Sequence, residues 1–227
     1  MKIDLITIFP NCLDDYFSVG ILARALKNKI WSLKYHNPRQ FATDKHQSID
    51  DRPFGGGAGM VMMAEPLIKT IQKITKNNRD GFAETRNDKK RIKIIMLTPR
   101  GKKLTQKKLQ EYSKLSQLVI ICGRYEGIDE RVTKFVDEQI SIGDYVLSGG
   151  EIAAGCLIDG VIRLLPKVAG NAESIKNESF NDGAKKEYPQ YTRPEVLVVK
   201  GKKYRVPKML LTGHHDNIKN WREAKKK

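Results

Sequence analysis

Three apolar runs in the middle of the chain, each followed by a glycine-bearing polar turn and then a helical pattern, constrain the fold more than any other feature. They are Ile92–Leu97 before TPRGKKL, Leu118–Cys122 before GRYEGIDER, and Gln139–Ile142 before GDYVLSGGE. Strand–loop–helix repetition at this spacing predicts an α/β domain with a largely parallel sheet. Lys2–Phe9 reads as another buried strand, closed by Pro10, and helical periodicity is expected around Ile21–Lys27 and over Ala64–Ile74. In open α/β sheets, ligands bind at the loops that leave the carboxyl ends of the strands.

The punctuation between these runs sets the expected organisation. Pro38–Gly59 is rich in Asp, Arg, His, Pro and Gly and reads as a long loop, and Lys76–Arg91 reads as a polar surface excursion. Ser148-Gly149-Gly150-Glu151 fits a capping box that opens a helix, with Pro166 at its far boundary. Lys167–Lys186 lacks apolar periodicity and reads as a linker. The expected division is therefore a main domain over 1–166, a linker over 167–186, and a small basic module over 187–227 with a helix around Trp221.

A chain of 227 residues suits one sizeable core with such an appendage. A membrane-spanning helix needs ~20 apolar residues, which no stretch supplies. The start, MKIDLITIFP, lacks the apolar segment and cleavage site of a secretory signal, so the cytoplasm is the expected location. Cys12, Cys122 and Cys156 cannot all pair and form no C-x-x-C. Each lies in or beside an apolar stretch, where a free cysteine behaves as a small hydrophobe. No H-E-x-x-H occurs, and adjacent His214 and His215 diverge on a helix, so neither disulfide nor metal is expected. The formal charge of +16 would attract a polyphosphate partner, although a lysine excess beside many Asn and Ile also fits A+T-rich coding.

Two familiar cofactor signatures are missing: no G-x-G-x-x-G follows a strand, and Gly55–Gly59 is not a phosphate-binding P-loop. The turns that remain suit a ligand in another way. Glycines in SIGDYVLSGGE let backbone approach closely and leave N–H and C=O groups available to an adenine edge. Gly123–Gly127 offers a second loop, with Arg124 and Glu126 as charged groups within it, and Glu126 or Asp144 would suit a sulfonium cation. The same residues also describe tight βα turns with caps. IDDRPFGGGAGM suits a loop that closes over a polar substrate, or an ordinary turn with Asp51–Arg52 as a solvated ion pair. Arg163 is either an i,i+4 partner of Asp159 or a cation aimed at a developing oxyanion. Glu178 lies in the linker, where a solvated carboxylate is ordinary.

Taken in order, DRPFGGGAGM, TPRGKKL, LVIICGRYEGIDERV, SIGDYVLSGGE, LIDGVIRLLP and YTRPEVL resemble the bacterial tRNA (guanine-N1-)-methyltransferase family, TrmD, of the SPOUT superfamily. The resemblance spans nearly the whole chain. It implies an α/β domain with a C-terminal trefoil knot, a small, mostly helical tRNA-binding domain, and a homodimer with a shared active site. Its cofactor is S-adenosylmethionine, and its substrate is the guanosine 3′ of the anticodon. By motif, the cofactor pocket falls to Pro99, Gly101, Gly123, Glu126, Gly127, Ile142, Gly143, Asp144, Tyr145, Val146, Leu147, Gly149 and Gly150. Asp50 and Arg52 are expected substrate contacts, and Arg163 matches the family's arginine near guanine O6. The family's general base is an aspartate before Ser-Phe; here Glu178 precedes Ser179-Phe180, so the base would be a glutamate. A SPOUT ribose 2′-O-methyltransferase and a non-catalytic RNA-binding module are the alternatives; the linker motif disfavours the first and the cofactor loops the second.

Overall fold

Alternation along five parallel strands divides the first of two compact units, Met1–Gly170, into two apolar layers. The strands are β1 (Lys2–Ile6), β2 (Ser32–His36), β5 (Ile92–Lys103), β6 (Gln117–Cys122) and β7 (Glu138–Ser141), in the order β2-β1-β6-β5-β7. The computed structural model describes residues 1–79, 92–170, 178–180 and 186–226. On one face, Ile3, Leu5, Leu118 and Ile120 pack with Phe17, Trp31, Leu157 and Ile158. On the other, Ile6, Val119 and Ile121 pack with Leu67, Ile71 and Val132. Every residue of β6 is buried, because helices or turns cover both sides of this central strand. That double covering is why the run carries no polar alternation.

The first layer is covered by α1 (Asp14–Phe17), α2 (Gly20–Lys27), α4 (Gln106–Tyr112) and α5 (Gly150–Ile162), and the second by α3 (Ala64–Arg79). The expected surface excursion Lys76–Arg91 thus begins inside α3, and 80–91 lies outside the described residues. The expected loop Pro38–Gly59 contains a 3₁₀ turn at Pro38–Phe41 and the short strand β3 (Asp50–Asp51), which pairs antiparallel with β4 (Val61–Met62). Strand β5 does not stop at Leu97. It bulges, so that Leu97 and Lys102 both face Ile140 of β7. Gly101 permits the bulge, since a Cβ there would lie 2.5 Å from the Ile140 backbone nitrogen.

Asp4 of β1 is wholly buried among these apolar faces. Its carboxylate accepts from Gln117 Nε2 at 2.7 Å, meets His36 Nε2 at 2.7 Å, and pairs with Lys2 at 3.1 Å. Burial opposes the charge, but the bonds to His36 and Lys2 prevail and hold the carboxyl below its ordinary value.

Helix α5 departs from its expected start. Gly149 takes the N-cap position and no side chain caps the helix, so the Ser148–Glu151 capping box does not form. Glu151 instead turns inward and is 3% exposed. Val168, within the expected linker, is buried in the core of the first unit. Cys122 is buried, while Cys12 and Cys156, although beside apolar stretches, are exposed. Among the described residues, no helix is long and apolar enough to cross a membrane.

The second unit, Asn171–Lys227, contains a hairpin the sequence reading missed. Strands β8 (Val196–Val199) and β9 (Lys202–Arg205) pair antiparallel, joined by Lys200 and Gly201 at φ 49° and 76°. Positive φ at both turn residues suits the twist of a two-residue hairpin. Helix α6 (His215–Lys225) follows a 3₁₀ turn, and its Trp221 ring lies 6.3 Å from that of Tyr191.

Candidate active site

A cavity of about 580 Å³ opens where β5, β6 and β7 end. Its floor depends on Gly150, whose N–H donates to Gly123 O at 2.8 Å. A Cβ on Gly150 would stand 2.8 Å from Cys122 Cα, so any larger residue would lift α5 off the end of β6. Leu97, Ile128, Ile140, Ile142 and Ala153 supply apolar wall, while the irregular backbone from Tyr145 to Gly149 supplies polar edges. Tyr145, Val146 and Leu147 are exposed at the mouth. Exposed apolar side chains beside an irregular backbone make a slot suited to a flat, partly polar ligand.

Of the expected cofactor residues, Pro99, Gly123, Glu126, Gly127, Ile142, Tyr145, Val146, Leu147, Gly149 and Gly150 line this cavity. Gly101, Gly143 and Asp144 do not. Gly101 serves the β5 bulge, and Gly143 leaves room for the Tyr145 ring, which a Cβ would meet at 2.3 Å. Asp144 is ion-paired with Lys103 on the outer edge. Of the two carboxylates considered for a sulfonium, only Glu126 lines the cavity. Its side chain packs so closely on Gly59 that a Cβ there would fall 2.5 Å from Oε1.

Arg124, a charged group of the Gly123–Gly127 loop but not among the expected cofactor residues, joins three of the segments around the cavity. Its Nη1 donates to Ser148 O at 3.1 Å, its guanidinium lies 4.6 Å from the centre of the Phe9 ring, and its Nη2 is 2.8 Å from Glu151 Oε2. That last contact is off the line of a good hydrogen bond, and Arg124 Nε has no acceptor among the described residues. Glu151 also accepts from Thr7 Oγ1 at 2.6 Å, which in turn accepts from Phe9 N at 3.0 Å. The pair, with Glu151 buried and Arg124 partly so, thus fixes the Gly123 and Ser148 loops against the end of β1. Its only sequence signal was an arginine and a glutamate each beside a glycine.

The expected substrate residues sit outside the cavity lining. Asp50, in β3, accepts a hydrogen bond from Tyr125. Tyr125 lines the cavity at φ 59°, and burial, then that bond, raise its phenol above the ordinary range. Arg52 is exposed, and its backbone N–H donates to Asp51 Oδ1 at 2.7 Å. Arg163 is the C-cap of α5 and does not line the cavity. At 1.5 Å per residue, it lies roughly 20 Å along the helix from Gly150. Asp159, its alternative partner, accepts a hydrogen bond from Tyr16. Glu178 is half-buried in the second unit.

A parallel α/β sheet with a ligand cavity at its strand ends, and neither a Rossmann glycine fingerprint nor a P-loop, defines a ligand-binding α/β protein of unusual loop construction. Its relatives make the class specific. The family described as tRNA (Guanine-1)-methyltransferase TrmD matches residues 1–227. The tRNA (guanine-N(1)-)-methyltransferase of Clostridium novyi is 46% identical over 225 residues, 99% of this chain and 86% of that protein. The protein of the same description from Heliobacterium modesticaldum is 48% identical over 223 residues, 98% of this chain and 78% of its own length. The chain belongs to the TrmD family of tRNA (guanine-1)-methyltransferases.

Proposed function

We propose that this protein transfers a methyl group from S-adenosylmethionine to N1 of the guanosine 3′ of the anticodon in tRNA. The observation that carries the reading is the cavity at the ends of β5, β6 and β7, lined by the motifs that the family match covers. Its apolar slot, backbone edges and lining carboxylate, Glu126, fit a cofactor with an adenine and a sulfonium charge. Pro99, Gly123, Glu126, Gly127, Ile142 and Tyr145–Leu147 would hold it. When bound, S-adenosylmethionine supplies an electrophilic methyl group.

The remaining chemistry falls to side chains. Guanine N1 carries a proton at neutral pH and is a poor nucleophile until that proton leaves. Glu178 accepts it as general base. Charge then spreads to O6, where Arg163 stabilises it. Holding base and donor together supplies the orientation that a bimolecular reaction lacks.

The reading includes a homodimer with composite sites. The ~20 Å between Gly150 and Arg163 on one rigid helix supports delivery of Arg163 to a partner's cavity rather than to its own. Helix α5 also exposes Ile152 and Cys156, at a spacing of four residues, although most of its other residues are buried. Such an apolar stripe suits a second copy of the chain. The convergence of the segments after β5, β6 and β7 on one cavity supports the family's trefoil knot, and the basic second unit supports a role in gripping tRNA. Incubation with cofactor and tRNA, followed by mapping of the modified base, tests the reading. A methyl group at N1 of that guanine is expected, and one on a ribose 2′-oxygen would overturn it.

A further inference from the structure

We infer that Phe54 is a base-stacking side chain that positions the RNA substrate beside the cavity. The inference rests on the RNA methyltransferase reading and adds a residue to it. Phe54 is 101% exposed, unlike Phe17, which is 2% exposed in the core. It is the only bulky side chain between Pro53 and Met60. Gly55, Gly56, Gly57 and Gly59 follow at φ +86°, +81°, +119° and +82°, a backbone that other residues rarely adopt.

The base of this loop is fixed to the wall of the cavity. Asp51 pairs with Val61 and Asp50 with Met62, Glu126 N donates to Met60 O at 3.0 Å, and Met62 N donates to Gly127 O at 2.9 Å. Glu126, Gly127 and Val61 all line the cavity. The tip is open: a Cβ on Gly55 or Gly56 would meet no atom within 4 Å. An aromatic ring held in water by a well-anchored stem gains nothing for folding, because apolar surface stabilises only when it is buried. It is placed for a ligand. Arg52 is exposed two residues away, and the chain carries a formal charge of +16, which suits a polyanion. Unstacked bases in RNA loops are held on aromatic side chains in this way, largely regardless of base identity.

The test compares wild type with Phe54→Ala, Phe54→Leu and Phe54→Trp, using an anticodon stem-loop RNA. Methyl-transfer kinetics, RNA affinity, S-adenosylmethionine affinity and molecular mass in solution are measured for each. Phe54→Ala is expected to weaken RNA binding and raise the KM for RNA about 10-fold, the size of one lost stacking contact. Cofactor affinity and mass stay unchanged. Phe54→Trp restores RNA affinity, and its emission beyond that of wild type is quenched by RNA, while Phe54→Leu restores little. Wild-type RNA affinity in Phe54→Ala overturns the inference, as does full rescue by Leu, which marks a plain apolar contact. A change in mass overturns it in favour of a contact between copies. If wild type methylates RNA and Phe54→Ala is indistinguishable from it, only the stacking role falls. If wild type neither binds nor methylates RNA, the functional reading falls and the inference with it.

Discussion

Glu178 has ordinary surroundings in the sequence, and only Ser179-Phe180 after it connects it to proton transfer. Glutamate carries one more methylene than aspartate, so a slightly retracted backbone restores the same carboxylate position. Replacement by Gln keeps size and hydrogen-bonding capacity but removes the proton acceptor. Glu178→Gln is therefore expected to slow turnover about 10²-fold with cofactor affinity unchanged, measured by single-turnover kinetics and cofactor titration. Asp182→Asn, at a rival carboxylate four residues further along the sequence, should matter much less, and the opposite ranking would reassign the base. Arg124 and Glu151 show how far single residues are legible. Both letters are plain in GRYEG and SGGE, but their pairing across 27 positions depends on β6 and α5 lying side by side. Local patterning offered Glu151 a capping role, and the buried Thr7 hydroxyl and the Arg124 guanidinium beside it prevailed.

At the scale of elements, the apolar runs and helical periodicities were legible because burial imposes periods of 2 and 3.6 residues on the sequence. The β5 bulge was less so: TPRG reads as a turn, and only β7 alongside it keeps Lys102 and Lys103 in the sheet. The β8–β9 hairpin was marked by VLVV-KG-KKYR and went unread beneath the lysines. Strand β7, at the edge of the five-stranded sheet, carries a cluster with a pH consequence. Burial opposes ionisation of Glu138, but Lys108, Lys93 and Tyr112 all bond to it, and together they lower it from 4.5 to about 2. Because the folded value lies below the unfolded one, the stabilisation is complete above about 4.5 and is lost as pH falls towards about 2. Glu138→Gln should cost about 1–2 kcal/mol near neutral pH, after allowance for solvent screening. Urea unfolding at pH 7 and pH 3 measures this. The difference between mutant and wild type should shrink at the lower pH, and an equal difference at both would show that the charge is not what stabilises.

At the scale of the whole molecule, the proposed composite site makes a prediction about mixtures. Leu147→Arg places a cation at the mouth of the cavity proposed for the cofactor, while Glu178→Gln and Arg163→Ala leave that cavity intact. Each variant alone should be nearly inactive. If base and arginine both reach a partner's cavity, mixing Leu147→Arg subunits with either of the others should regenerate activity, measured after subunit exchange is verified by mass. Mixing Glu178→Gln with Arg163→Ala should regenerate little, since neither of the two sites would then be complete. Recovery in that last mixture would place Arg163 and Glu178 on opposite subunits of one site. The sequence by itself determined the parallel α/β class, the loops that line the cavity and, through motifs spanning the chain, the family, because burial periodicity and glycine-dependent turns are written locally. Only the tertiary structure decided that Gly101, Gly143 and Asp144 stand outside the cavity, that Glu151 is a buried partner of Arg124, and that Arg163 lies a helix length from its own cavity. Those outcomes depend on which distant segments share a sheet edge or a helix face, and no local pattern encodes that.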